Sequence, residues 1–124
     1  MGMFKTQAEQ NLYNRMLITQ AINYQKLGYS DIKINNEKCS NGQPSQVCGY
    51  IPDLTAVLDD ETTLCEIVTD DSVNEPGAFK KWKTLCQSTN DFHMVIPRKS
   101  FEMIKDLMKS NGINVNKYWY SKTC

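Results

Sequence analysis

The sequence has no net charge, no long apolar run and only one histidine. Fourteen basic and fourteen acidic side chains cancel over 124 residues. No global field therefore draws the chain to nucleic acid or an anionic membrane, and any such contact has to come from a local patch. No stretch approaches the roughly 18 consecutive apolar residues of a membrane span. The start, "MGMFKTQAEQ", lacks the apolar core of a secretory signal, so the expected location is cytoplasmic, with no membrane association. His93 as the only histidine leaves little material for a zinc site, which needs four ligands, usually in close pairs. Five cysteines, an odd number, read as reduced thiols rather than a disulfide framework. Cys65 and Cys86 fall on apolar faces as small core residues. Cys39 and Cys48 bracket the loop "SNGQPSQV", where a local disulfide or a redox or metal role is the competing expectation.

What is present is ordinary for a globular chain: 40% hydrophobic and 23% charged residues, enough for one compact core and one domain over residues 1–124. From Phe4 to Leu27, the residues Phe4, Ala8, Leu12, Met16, Ala21 and Ile22 recur at helical spacing, with Gly28 placed to end the helix. "SDIKINN" alternates as a half-buried strand does, and "EKCSNGQPSQVCG" reads as a loop. Tyr50 to Leu58 and Thr63 to Thr69 are two further strands around "DDET", a hairpin. A second helix follows, with Pro76 in its first turn and Ala78, Phe79, Trp82, Leu85 and Cys86 on one side. "DFHMVIP" is a buried strand, "RKSFEMIKDLMKSNG" a third helix and "INVNKYWYSK" an edge strand. The order is αβββαβαβ. That order predicts an α/β protein with a mixed central sheet of about five strands and helices on both faces.

Within the hairpin, Glu66 is an isolated carboxylate among Leu64, Cys65, Ile67 and Val68, where burial costs several kcal/mol unless the group is hydrogen-bonded, paired or bound to a cation. With the loop at Asp59–Thr62 or at Asp60–Glu61, Leu58 opposes Thr63, Thr55 opposes Glu66 and Asp53 opposes Val68. Asp53 and Glu66 then share a face as diagonal neighbours with Cβ atoms roughly 7 Å apart. At that separation two carboxylates converge on one divalent cation. An odd change in loop length would put them on opposite faces. The competing expectation is that Asp53 starts a strand from a solvated loop and Glu66 faces water.

"IPD", a hairpin and then "CEIV" resemble the PD-(D/E)XK pattern of the restriction-endonuclease-like superfamily, and the order of elements is similar over most of the chain. "PDLTAVLDDETTLCEIVT" followed by a Trp-containing helix looks like small, mostly prokaryotic members. The resemblance implies a restriction-endonuclease-like fold, with Asp53 and Glu66 as metal ligands and the backbone carbonyl of Ile67 as a further oxygen. It implies Glu9 as the extra acidic residue that some members carry on the first helix, although a solvent-facing residue suited to the helix dipole is the alternative. Mg2+ or Mn2+ would be the cofactor, and DNA or RNA the substrate of a metal-dependent phosphodiester hydrolysis. The position of the motif lysine is Val68, which neither activates water nor stabilises phosphate charge. Lys80, Lys81 and Lys83 on the next helix are possible substitutes, Lys81 first, against a plain solvated face.

If the lysine is not replaced, the expectation is an inactive nuclease-fold module binding nucleic acid or a protein partner, with a homodimer among the possible assemblies. Arg98 and Lys99, with Lys80 to Lys83, are the basic clusters that would meet phosphates. His93 reads as a satisfied strand histidine rather than a base. Tyr118 to Tyr120 read as the end of an edge strand or a dimer contact, or alternatively as a stacking platform for bases.

Overall fold

The computed structural model describes residues 6–35 and 42–121. Over these residues the chain runs α1 (Gln7–Lys26), β1 (Ser30–Ile34), β2 (Leu54–Leu58), β3 (Glu61–Ile67), α2 (Ala78–Gln87), β4 (Phe92–Pro97), α3 (Phe101–Ser110) and β5 (Lys117–Ser121), with short 3-10 turns before α2 and α3. The five strands form one open sheet in the order β1-β2-β3-β4-β5. β1 to β3 are an antiparallel meander, and β3, β4 and β5 are parallel, linked by α2 and α3. This is the α/β class with the expected mixed sheet and element order. Cys39, one end of the loop disulfide that competed with reduced thiols, lies outside the described residues.

Alternation along β3 and β4 divides the core into two layers. Leu64, Val68, Phe92, Met94 and Ile96 pack with Trp82 and Leu85 of α2 and Ile104 and Met108 of α3. Cys65, Ile67 and Val95 point the other way, onto Met16, Leu17 and Tyr24 of α1. Both faces are thus covered, as parallel strands require.

Three local expectations need correction. In α1 the buried stripe is Met16, Leu17, Gln20 and Tyr24, while Ile22 is 44% exposed and Ala8 is exposed. The helix carries apolar residues on more than one stripe, and it turns towards the sheet the one whose tyrosine finds a hydrogen-bond partner, Nδ1 of His93. Pro76 lies outside α2, because Gly77, at φ 82°, is its N-cap.

The third correction is the hairpin. Its turn is Asp59 and Asp60, both with positive φ (52° and 66°), the two-residue form that matches the twist of the strands and that aspartate tolerates. Leu58 therefore pairs with Glu61 and Leu54 with Cys65, two residues away from the expected register. An even shift keeps every side chain on its face. The register continued beyond Leu54 sets Asp53 directly opposite Glu66, not diagonal to it and not opposite Val68.

Candidate active site

Glu66 occupies the middle of the α2-facing layer, between Leu64 and Val68, and is 1% exposed. Its burial is matched by donors. The Trp82 indole N–H donates to Oε1 at 3.1 Å, the Lys81 ammonium lies 3.1 Å from the same oxygen, and the Asp53 N–H donates to Oε2 at 2.7 Å. Neighbouring positions on α2 supply both side-chain donors, so the helix holds an aromatic and a cation over one carboxylate.

Asp53 precedes β2, where the sheet ends, and is 7% exposed. Its carboxylate spans the two layers: Oδ2 accepts from the Ile67 N–H at 2.8 Å, and Oδ1 accepts from the Tyr13 hydroxyl of α1 at 2.5 Å. Asp53 and Glu66 are thus bound reciprocally, each accepting a backbone N–H from the other's strand. Together they sit at the carboxyl end of β3, the end of a parallel sheet where α/β proteins place ligands.

The electrostatics are those of too little positive charge. Burial, and then the Asp53 carboxylate, push the Glu66 pKa up to about 8, against Lys81 and the Asp53 N–H, which lower it. Burial likewise raises Asp53, against Lys81, Tyr13 and the Ile67 N–H. Burial works to lower the Lys81 pKa, but Glu66 and Asp53 outweigh it and raise it, so the ammonium keeps its proton at neutral pH.

Sequence reasoning placed Asp53, Glu66 and Lys81 near one another, and the structure brings all three together. Lys80 and Lys83 are exposed. Ile67 reaches Asp53 through its N–H. Glu9 is half-buried, and its backbone N–H is capped by Thr6 at 3.1 Å. The α1 side chain that reaches Asp53 is Tyr13, one helical turn further on. Tyr13 and the indole N–H of Trp82 are the site residues that sequence reasoning missed. Their only signal was an amphipathic residue able to pack and donate at once. Val68 is fully buried, with its N–H on the Val95 carbonyl at 2.9 Å, and it closes the core beside Glu66.

No protein-family model, curated protein or solved structure matches the chain. What the site can do therefore rests on its own chemistry. Two ionised carboxylates against one ammonium would be an excess of negative charge, which is why Glu66 keeps a proton up to about pH 8; a divalent cation would supply the missing charge, and hard carboxylate oxygens are the donors that magnesium and manganese take. The donor set fits such a cation in kind. Every carboxylate oxygen already accepts a protein donor, however, and among the described residues no group of three or more His, Cys, Asp or Glu is arranged for a metal. A cation would enter by sharing or displacing those donors.

Proposed function

We propose that this chain is a nuclease-type domain of restriction-endonuclease-like architecture, suited to divalent-metal-assisted hydrolysis of phosphodiesters in DNA or RNA. The observation that carries this reading is the Lys81 ammonium 3.1 Å from Glu66, beside the second carboxylate of Asp53. The cation that Val68 cannot supply from the strand arrives from α2. Asp53 and Glu66 would hold Mg2+ or Mn2+, which supplies Lewis acidity and lowers the pKa of its bound water. Tyr13, Trp82 and the Ile67 N–H fix the carboxylates, and Lys81 keeps a proton and a positive charge beside the reacting phosphate. Arg98 and Lys99 follow β4 at the same end of the sheet, and both are exposed, as phosphate contacts need to be.

A non-catalytic module of the same fold is the second reading. It is favoured by the saturation of all four carboxylate oxygens and by the apolar Val68. Two measurements separate the readings. Metal-dependent cleavage of single- and double-stranded substrates, abolished by Asp53→Asn and Glu66→Gln in variants that still melt cooperatively, supports the nuclease; cleavage indifferent to both sinks it. Absence of cleavage with either metal, together with nucleic-acid binding that survives Glu66→Gln and weakens steeply with salt, establishes the module.

A further inference from the structure

The aromatic run "KYWYS" of β5 has no part in the carboxylate chemistry. Its side chains alternate between the faces of the sheet. Trp119 points to the α1 layer, where it packs and its indole N–H donates to Nδ1 of His93 at 3.1 Å. Tyr118 and Tyr120 point to the other face, that of Glu66. The register sets Glu66, Met94 and Tyr118 in one row across three strands, and Tyr120 follows one step further on, beside Ile96. Two strands across and two residues along place Tyr120 roughly 12 Å from Glu66, towards the carboxyl end of the sheet.

Tyr120 is 56% exposed, yet its ring is held: the ring of Phe101, which starts α3, lies 4.6 Å away centre to centre. Phe101 is braced in turn by Tyr118, edge-on at 5.7 Å, and by the Lys105 ammonium 5.1 Å from its ring centre. The three rings form a ladder whose last member is open to solvent. Basic residues stand beside it. Pro97 pairs with Ser121, so Arg98 and Lys99, which follow, lie at the rim between the strand of Glu66 and that of Tyr120. Lys99 is 3.9 Å from Asp70, whose other carboxylate oxygen accepts the Ser100 hydroxyl. Arg98 is exposed and forms no salt bridge among the described residues.

A fixed, open ring beside an uncompensated guanidinium is the pairing that single-stranded nucleic acid takes, with a base on the ring and a phosphate on the cation. We propose that this rim is a single-strand track, on which a base stacks against Tyr120, the adjoining phosphates lie on Arg98 and Lys99, and the strand is led to the carboxylate site. Base and phosphate are common to DNA and RNA, so the track does not read the sugar. A duplex keeps its bases stacked on one another and cannot cover the ring. The track names a single strand as the substrate of the proposed nuclease and rests on that reading for where the strand leads; the binding itself needs no metal.

The test is an anisotropy titration, in chelator, of labelled strands of about 12 nucleotides: oligothymidine, oligouridine, an abasic strand of equal length and a thymidine–adenosine duplex. Tyr120→Leu keeps apolar bulk against Phe101 but removes the ring. It should weaken both base-bearing strands about five- to a hundredfold and leave the abasic strand unchanged, while Tyr120→Phe binds within about twofold of the wild type. Arg98→Ala should weaken all three single strands and reduce the slope of log K against log salt by about 0.7. The duplex should bind more weakly than oligothymidine and be indifferent to Tyr120→Leu. Wild-type binding by Tyr120→Leu, an equal loss on the abasic strand, tighter binding of the duplex, or no binding of any strand, as when the ring serves a protein or a membrane, would each overturn the track. Tyr120-dependent binding without cleavage in either metal would sink the nuclease reading and leave the track standing; cleavage with binding indifferent to Tyr120 would do the reverse.

Discussion

Replacing Glu66 by glutamine should abolish a fall in stability that the wild type shows between pH 6.5 and 8. The Glu66 pKa is raised from 4.5 to about 8 by burial and then by Asp53, so the folded chain binds a proton that the unfolded chain has lost. Stability from this group is fully present below 4.5 and is lost as pH rises towards 8. Below 6.5 the effect is masked, because His93 has its folded pKa lowered and contributes in the opposite direction, gaining stability as pH rises. Above about 9 the buried Cys65 thiol, raised by burial, begins to cost stability as its unfolded counterpart ionises. The interval from 6.5 to 8 isolates the carboxylate pair. At about 1.4 kcal/mol per pH unit for one proton, the fall amounts to about 2 kcal/mol, or about 8 °C in Tm for a domain of this size. Thermal melts in chelator-containing buffer at half-unit steps measure it. Glu66→Gln leaves Asp53 as a single carboxylate, freed of the neighbouring charge and still beside Lys81, so the fall should be lost from its Tm across the interval, whatever its height. A wild-type Tm that is level or rising there, or a Glu66→Gln variant that falls in parallel, would refute the account of the site as short of positive charge.

Two substitutions test the surroundings. Val68→Lys restores the motif lysine on paper, but it puts an ammonium into a fully buried position packed with Leu64, Trp82 and Leu85. It should destabilise the fold by more than about 3 kcal/mol at pH 7, and urea unfolding at wild-type stability would show that the strand can host the lysine after all. Asp60→Gly relieves a non-glycine residue at φ 66° and should raise stability by roughly 0.5 to 1 kcal/mol; a loss of stability would mean that the Asp60 side chain, not the backbone, shapes the turn.

The strand pattern, the element order and the shared face of Asp53 and Glu66 were legible because each depends on local periodicity. The register was not. Asp59 and Asp60 bear φ values normally met by asparagine or glycine, and four consecutive polar residues, "DDET", hide which two make the turn. The site survived the error because a shift of two leaves the faces unchanged. Lys81 could be guessed from its neighbours but not singled out, since Lys80, Lys81 and Lys83 differ only in their angle about a helix axis that tertiary packing sets. Tyr13 and Trp82 were out of reach for another reason. Their hydroxyl and indole N–H act across elements 40 and 16 residues from their partners, and nothing local records such a pairing.

Long-range polar pairings also decide how the helices find their places. An apolar layer specifies that a helix packs but only loosely how it is turned, and α1 is a case in point. Ile18 and Ile22, one turn apart and 47% and 44% exposed, form a stripe as apolar as the one that is buried. What distinguishes the buried stripe is Tyr24 on His93 and, nearer the start of the helix, Tyr13 on Asp53. Two hydroxyls at the separation of two sheet acceptors select one rotation, because the alternative leaves a buried imidazole nitrogen and a buried carboxylate oxygen short of donors. On the other face, Trp82 does the same for α2 through Glu66. Glu66 and His93, polar side chains of the central strands, thus each fix a helix that packing alone leaves free to turn. Glu66 therefore has a structural role whether or not it also holds a metal, and loss of its charge has to be followed in both stability and cleavage before either role is assigned.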